Sequence, residues 1–155
     1  MPARKLKEFL DSNDVKYTSV SHSIAFTAKE IAARTHIHGK ELAKTVIVKT
    51  GEKMLMAVLP ASHRIDLSLL SQALASPVEL AIENEFQGMF PNCEIGAMPP
   101  FGNLYDMKVF VDEALAEDEE IAFNAGTHRE LVRLAYKDFE RLVKPTKANF
   151  AMKAF

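Results

Sequence analysis

The chain of 155 residues holds a single cysteine, Cys93, which excludes an internal disulfide framework and is consistent with a reducing compartment. It has no tryptophan, and no apolar run approaches the ~20 residues a membrane-crossing helix needs. The opening MPARKLKEFLDSND lacks the apolar block of a secretory signal, so the expected location is the cytoplasm and no membrane partner is expected. Charge of neither sign dominates: 19 Lys+Arg stand against 21 Asp+Glu, a net −2. Non-specific duplex binding relies on a strong basic excess, so DNA is not an expected partner, although a few local cations would suffice to grip a single-stranded end. The hydrophobic fraction of 48% and charged fraction of 26% are those of an ordinary globular domain. The length suits one domain with a real core, over residues 1–144, followed by a tail over 145–155.

Glycine and proline are also few, six and seven, yet Gly96, Pro99, Pro100 and Gly102 fall within seven residues. No helix or interior strand tolerates that density. The segment from Phe90 to Glu113 is therefore organised around a shaped loop, pinned by Phe101, Leu104 and Tyr105, that feeds a strand from Met107 to Val111 ending at Asp112. A stiff loop before a buried strand is one way to present backbone N–H groups to a ligand, though such loops are more often structural.

Taken in order, residues 2–13 read as an amphipathic helix with Leu6, Phe9 and Leu10 on one face, and Lys16 to His22 as a strand. Thr27 and Glu30 form a capping-box pattern at the start of a second helix. Lys44–Lys49 and Met54–Leu59 are β-rich runs joined by Thr50-Gly51-Glu52-Lys53, a hairpin signal, with Pro60 ending the second. Asp66 caps a helix through Leu67, Leu70 and Leu74, Pro77 starts a short extended piece, and Asn84 to Met89 is a helical turn. The stretch DEALAEDEE reads as solvated, and IAFNA as a strand ending at Gly126. From Thr127 to Val143 periodicity allows either a continuous helix or a strand followed by a helix from Tyr136. Helices interspersed with hairpins, without a regular βαβ repeat, indicate α+β with a mixed or mainly antiparallel sheet.

Several side chains are candidates for chemistry. Lys44 opens an otherwise apolar strand, so its ammonium either snorkels to solvent or meets an anion; His63-Arg64 follows the partner strand and would lie near it. His36 and His38 supply only two ligands, short of a zinc site, and no metal or cofactor is expected. Cys93 beside His128 is a nucleophile only in an activating environment. Asp112 and His128 stand at the ends of successive strands and would converge on a cleft if those strands were neighbours.

The order and spacing of AKTVIVK (43–49), IGAMPPFG (95–102), VFVDE (109–113) and NAGTHRELVRL (124–134) resembles the YbaK/prolyl-tRNA synthetase-associated domain family over roughly residues 20–143. The resemblance rests on the Lys-Thr pair opening an apolar strand and the G-x-x-x-P loop, here Gly96 to Pro100. It implies a mixed, partly barrel-like β-sheet surrounded by helices, and favours a strand over His128 to Leu134. It implies a free-standing aminoacyl-tRNA deacylase that hydrolyses, in trans, the ester of a mischarged small amino acid (Ala, Cys, Ser or Thr). The partners are then the 3′ acceptor end of aminoacyl-tRNA and, in addition, an aminoacyl-tRNA synthetase. Lys44, Gly96, Asp112 and His128 become the expected catalytic residues. Ala97, Met98, Pro99, Pro100, Phe101, Gly102, His63, Thr27 and Gly126 become the expected substrate-binding residues. An aminoacyl ester is already activated, so positioning a water and stabilising the oxyanion suffices, without a metal. The alternative is a non-catalytic module of the same fold that holds tRNA ends or docks on a synthetase.

Overall fold

Two long strands, β2 (Leu42–Thr50) and β3 (Lys53–Pro60), form an antiparallel hairpin with Lys44 opposite Leu59 and Ile47 opposite Met56. Both faces of this hairpin are covered. Ala43, Ile47, Met56 and Val58 pack into the main core, while Val48, Leu55, Ala57 and Leu59 pack on the other side around Leu70, Phe110 and Phe150. Burial on both faces explains the nearly unbroken apolar run of β3, where a half-exposed strand would alternate.

The computed structural model describes residues 4–21, 41–51, 53–91, 93–94 and 96–153. The expected helix after Thr27, and with it Thr27, His36 and His38, lies outside the described residues. The other elements are α1 (Arg4–Ser12), β1 (Tyr17–Ser21), β4 (His63–Ile65), α2 (Leu67–Leu74), β5 (Glu79–Leu80) and α3 (Glu83–Phe86). There follow β6 (Lys108–Asp112), α4 (Glu113–Ala116), β7 (Glu120–Asn124), β8 (Glu130–Ala135), α5 (Tyr136–Val143), β9 (Thr146–Ala148) and β10 (Ala151–Lys153). Short 3₁₀ turns cover Gln87–Met89 and Gly102–Leu104.

The main sheet runs β1-β8-β7-β2-β3-β6-β9, with β5 added to β2, and β4 pairs with β10 in a second, small sheet. The β2–β7, β3–β6 and β6–β9 pairs are parallel and the rest antiparallel, so the fold is α+β with a mixed sheet, as the sequence indicates. The segment after Thr127 resolves into strand then helix, with β8 paired to both β1 and β7 and the helix starting at Tyr136. Asp66 caps α2 as expected, its carboxylate accepting from Ser68 N and Leu69 N.

Two expectations are corrected. The acidic stretch after Asp112 is not wholly solvated: Asp112 caps a short helix there, and Leu115 on it is fully buried. The segment after Pro145 is not loose either. Thr146–Ala148 adds to β6, Ala151–Lys153 pairs with β4, and Phe150 between them is fully buried. No helix among the described residues is long and apolar enough to cross a membrane.

Candidate active site

The Gly96 loop is held from both sides by backbone hydrogen bonds. Ala97 N donates to Glu94 O at 3.1 Å, Gly126 N donates to Ala97 O at 2.8 Å, and Glu94 N donates to Gly126 O at 2.8 Å. Gly96 and Gly126 adopt positive φ, 84° and 95°, which glycine reaches without the Cβ penalty. His128 is buried, its backbone N–H donates to Glu94 Oε1 at 2.7 Å, and its ring lies where a Cβ on Gly96 would sit 3.5 Å from Cε1. The structure therefore brings Gly96, Gly126 and His128 together, two stretches about thirty residues apart in the chain.

Ahead of this turn, Met98, Pro99, Pro100 and Phe101 are buried. Phe101 meets Phe9 of α1, Phe123 of β7 and Phe139 of α5 at ring-centroid distances of 6.1, 5.4 and 5.6 Å. Gly102 has no room for a side chain: a Cβ would run into Met107 O and come within 2.6 Å of Val109 Cγ2. Phe101 and Gly102 therefore anchor the loop on the core. Ala97 is bonded into the turn through both its N–H and its carbonyl, and Pro99 and Pro100 are buried. Of the N–H groups over 96–98, only that of Ala97 has an acceptor among the described residues. The prolines have none to give.

Gly96 and Met98 line one wall of a pocket of about 250 Å³. Thr45, Ile47, Ala81 and Phe86 contribute to the remainder. The pocket exists because β2 is shared: β7 pairs with it only at Leu42 and Ala43, and β5 only at Val48 and Lys49. Ala81 N donates to Ile47 O on the side away from β3, so the alternating backbone groups of Thr45 point to that same open edge. Sequence reasoning missed Thr45, Ala81 and Phe86, because nothing in the local pattern shows which stretch of a strand edge will stay uncovered. Larger clefts of about 560 Å³ beside Tyr136 and about 360 Å³ beside Lys108 touch none of the expected site residues. The convergence of the loop with β2, rather than size, marks the site.

Lys44 lies next to Thr45 on β2, but its side chain leaves from the opposite face. There Nζ donates to His63 O at 2.5 Å, so the expected meeting of Lys44 and His63 occurs through the backbone carbonyl. An ammonium carries three N–H donors, and this bond leaves two for an anion. Burial lowers the Lys44 pKa, because a desolvated cation is penalised. The His63 ring nitrogen Nδ1 sits 3.0 Å from Ser62 Oγ.

Asp112 does not join this group. Its strand β6 is separated from β7 by β3 and β2, about 14 Å at three inter-strand spacings. Its buried carboxylate accepts from Ala114 N through Oδ2 at 3.0 Å, and from Phe150 N and Ala151 N through Oδ1 at 2.8 and 3.0 Å. With both oxygens accepting from backbone donors, it clamps the chain end. That clamp has a consequence for Lys44. It seats Phe150, whose carbonyl accepts from Asp66 N at 2.6 Å, and so aligns β10 with β4, the strand that begins with His63.

Cys93 is a poor nucleophile here. Burial pushes its thiol pKa up, against smaller opposing effects from the Tyr105 hydroxyl, 3.5 Å away, and from Lys5. A protonated thiol attacks esters slowly. Cys93→Ser should therefore leave turnover of an ester substrate within about twofold of wild type; a loss beyond tenfold would restore the thiol as a catalytic candidate. Among the described residues, no three His, Cys, Asp or Glu side chains gather as a metal site would require.

Several known proteins are similar to this chain. The Multifunctional Ser/Thr-tRNA deacylase ProXp-y of Escherichia coli (strain K12) is 36% identical over 104 residues, 62% of this chain and 58% of that protein. The proline–tRNA ligase of Bacillus cytotoxicus is 32% identical over 89 residues, 57% of this chain and 16% of the ligase. The chain thus spans less than two thirds of the length of either relative. Two solved structures share the fold. The protein APE2540 gives a TM-score of 0.86 at 19% identity, covering 96% of this chain and 100% of its own. A candidate trans-editing enzyme for prolyl tRNA synthetase gives 0.84 at 22%, covering 97% of each chain. The family model for the aminoacyl-tRNA editing domain matches residues 22–142, a span that takes in Lys44, the Gly96 loop and His128, and the chain belongs to that family.

Proposed function

We propose that the chain is an aminoacyl-tRNA deacylase acting in trans on tRNA charged with a small wrong amino acid. The observation that carries this reading is the pair of N–H groups, on Gly96 and Met98, that have no acceptor among the described residues although their loop is otherwise buried and bonded. Both residues line the pocket at the open edge of β2. Membership of the editing family and the name of the E. coli relative support the substrate class.

In this reading the ester carbonyl lies at the Gly96 and Met98 N–H groups, which meet the negative charge that develops on its oxygen. A positioned water adds its oxygen to the carbonyl carbon. The bond from that carbon to the ribose oxygen breaks, and the ribose oxygen takes up the proton that the attacking water gives up, releasing the amino acid and an uncharged tRNA end. Lys44 holds the terminal phosphate with the two donors that His63 leaves it. His128 packs its ring against Gly96 and keeps that turn in place. No side-chain nucleophile is required, because holding an activated ester and a water in line supplies much of the acceleration. The ligase relative makes a prolyl-tRNA synthetase the docking partner to try first.

The test is a deacylation panel of Ala-, Cys-, Ser- and Thr-tRNA, with Pro-tRNA as the correctly charged control. Selective loss of one or two small amino acids is the expected result. A flat panel with intact tRNA binding would replace the enzyme by a binding module.

A further inference from the structure

β2 and β7 run together only from Leu42 to Ala43 against Ala122 to Phe123, and then part. Leu42, Ala122 and Leu131 pack in one small apolar cluster, so they share a face of the sheet. Alternate strand residues point the same way, which puts Lys44 and Asn124 on that face, one register step beyond the last paired residues. Two residues further on, Gly126 clamps the Gly96 loop. Asn124 therefore stands at the fork, between Lys44 and the loop.

Its side-chain oxygen Oδ1 is buried and has no hydrogen-bond partner among the described residues. Buried acceptors in folded proteins are nearly always satisfied, and an exception on the face that carries Lys44, two residues before the glycine that clamps the Gly96 loop, points to a donor that arrives with the substrate. The Lys44 ammonium on the same face narrows the choice. A second cation, such as the amine of the amino acid, would be repelled on this face, whereas a neutral hydroxyl carries no such cost. The terminal ribose of an aminoacyl-tRNA offers one such group, the free hydroxyl next to the ester.

We propose that Asn124 is a substrate-contacting residue whose side-chain oxygen accepts a hydrogen bond from the free vicinal hydroxyl of the terminal ribose. This rests on the deacylase reading of the site. With its proton directed to Asn124, the hydroxyl is held in one orientation beside the ester.

The test uses adenosine carrying alanine through a non-hydrolysable 3′-amide, and the same compound lacking the 2′-hydroxyl. Binding of each is measured for the wild type, Asn124→Ala and Asn124→Asp, with a thermal melt of every variant. Asn124→Ala should weaken binding of the hydroxylated compound about tenfold, the usual scale for one neutral hydrogen bond, and leave the deoxy compound unchanged. Asn124→Asp, which keeps an acceptor, should recover part of the loss. Melting of Asn124→Ala should stay close to wild type, because no bond within the protein is lost. Equal weakening of both compounds, no weakening of either, or a fall in melting temperature that accounts for the loss would overturn the assignment. Wild-type protein that binds neither compound would overturn it together with the site. If the hydroxyl-dependent loss is seen but no mischarged tRNA is hydrolysed, Asn124 keeps its role and the enzymatic reading fails.

Discussion

Lys44→Ala should fold normally and lose deacylation on the order of 10²–10³-fold, the range seen when one preorganised donor to a developing or bound anion is removed. The physical reason is the state of the ammonium. It is half withdrawn from water, with a lowered pKa, and is fixed by a single bond to the His63 carbonyl. A cation prepared in this way has already lost part of its hydration, so an incoming phosphate finds it at little further cost. Stability should change by no more than about 1 kcal/mol, since deleting a desolvated charge offsets the lost hydrogen bond. The pH dependence has a definite sign. The charged form does the work, so Lys44-dependent hydrolysis falls as pH rises through the lowered pKa, below the ordinary lysine value of 10.5. The unfolded chain binds that proton more tightly, so the folding penalty from Lys44 is present at neutral pH and fades as pH rises through the same window. Steady-state hydrolysis with the best substrate of the panel, alongside thermal melts, reads both effects. Unchanged turnover in Lys44→Ala would remove Lys44 from the mechanism.

The second large effect is on stability, at a residue far along the chain from the loop. Phe150→Ala should cost about 3–5 kcal/mol, the usual range for emptying a fully buried aromatic site, and lower the melting temperature by roughly 10 °C. The ring packs with the cluster around Leu59, Leu70 and Phe110, and its backbone is tied at both ends, N–H to Asp112 and carbonyl to Asp66 N–H. Because β10 is the strand partner of β4, loosening it frees the His63 carbonyl that seats Lys44. Activity measured well below the melting transition should then fall further than the small unfolded fraction explains. Phe150→Leu should recover most of both losses. A melting temperature within 2 °C of wild type in Phe150→Ala, on the ~2–4 °C per kcal/mol scale, would show that the segment does not bear on the core.

The sequence by itself determined the elements whose causes are local. The β2–β3 hairpin follows from two apolar runs around Gly51, α2 from the Asp66 cap, and the loop from its density of glycine and proline. The same local patterns carry Lys44, Gly96 and the Gly126–His128 turn, which is why the heart of the candidate site was legible. Periodicity alone left strand or helix after Thr127 open, because its apolar residues suit both periods; the family resemblance favoured the strand, and pairing with β1 and β7 is what forms it. Asp112 is the clearest case of the other kind. Its place at a strand end is visible in the chain, but not the strand order, which puts β2 and β3 between β6 and β7. Its carboxylate goes instead to backbone N–H groups of a segment that reads as a loose tail until Phe150 finds a core to fill. The open edge at Thr45 and the unfilled acceptor on Asn124 likewise exist only because β2 has β7 over one short stretch and β5 over another. Local propensity acts within a few residues, whereas edges, clefts and unsatisfied groups are set by which distant segments pack together, and only the tertiary structure fixes that choice.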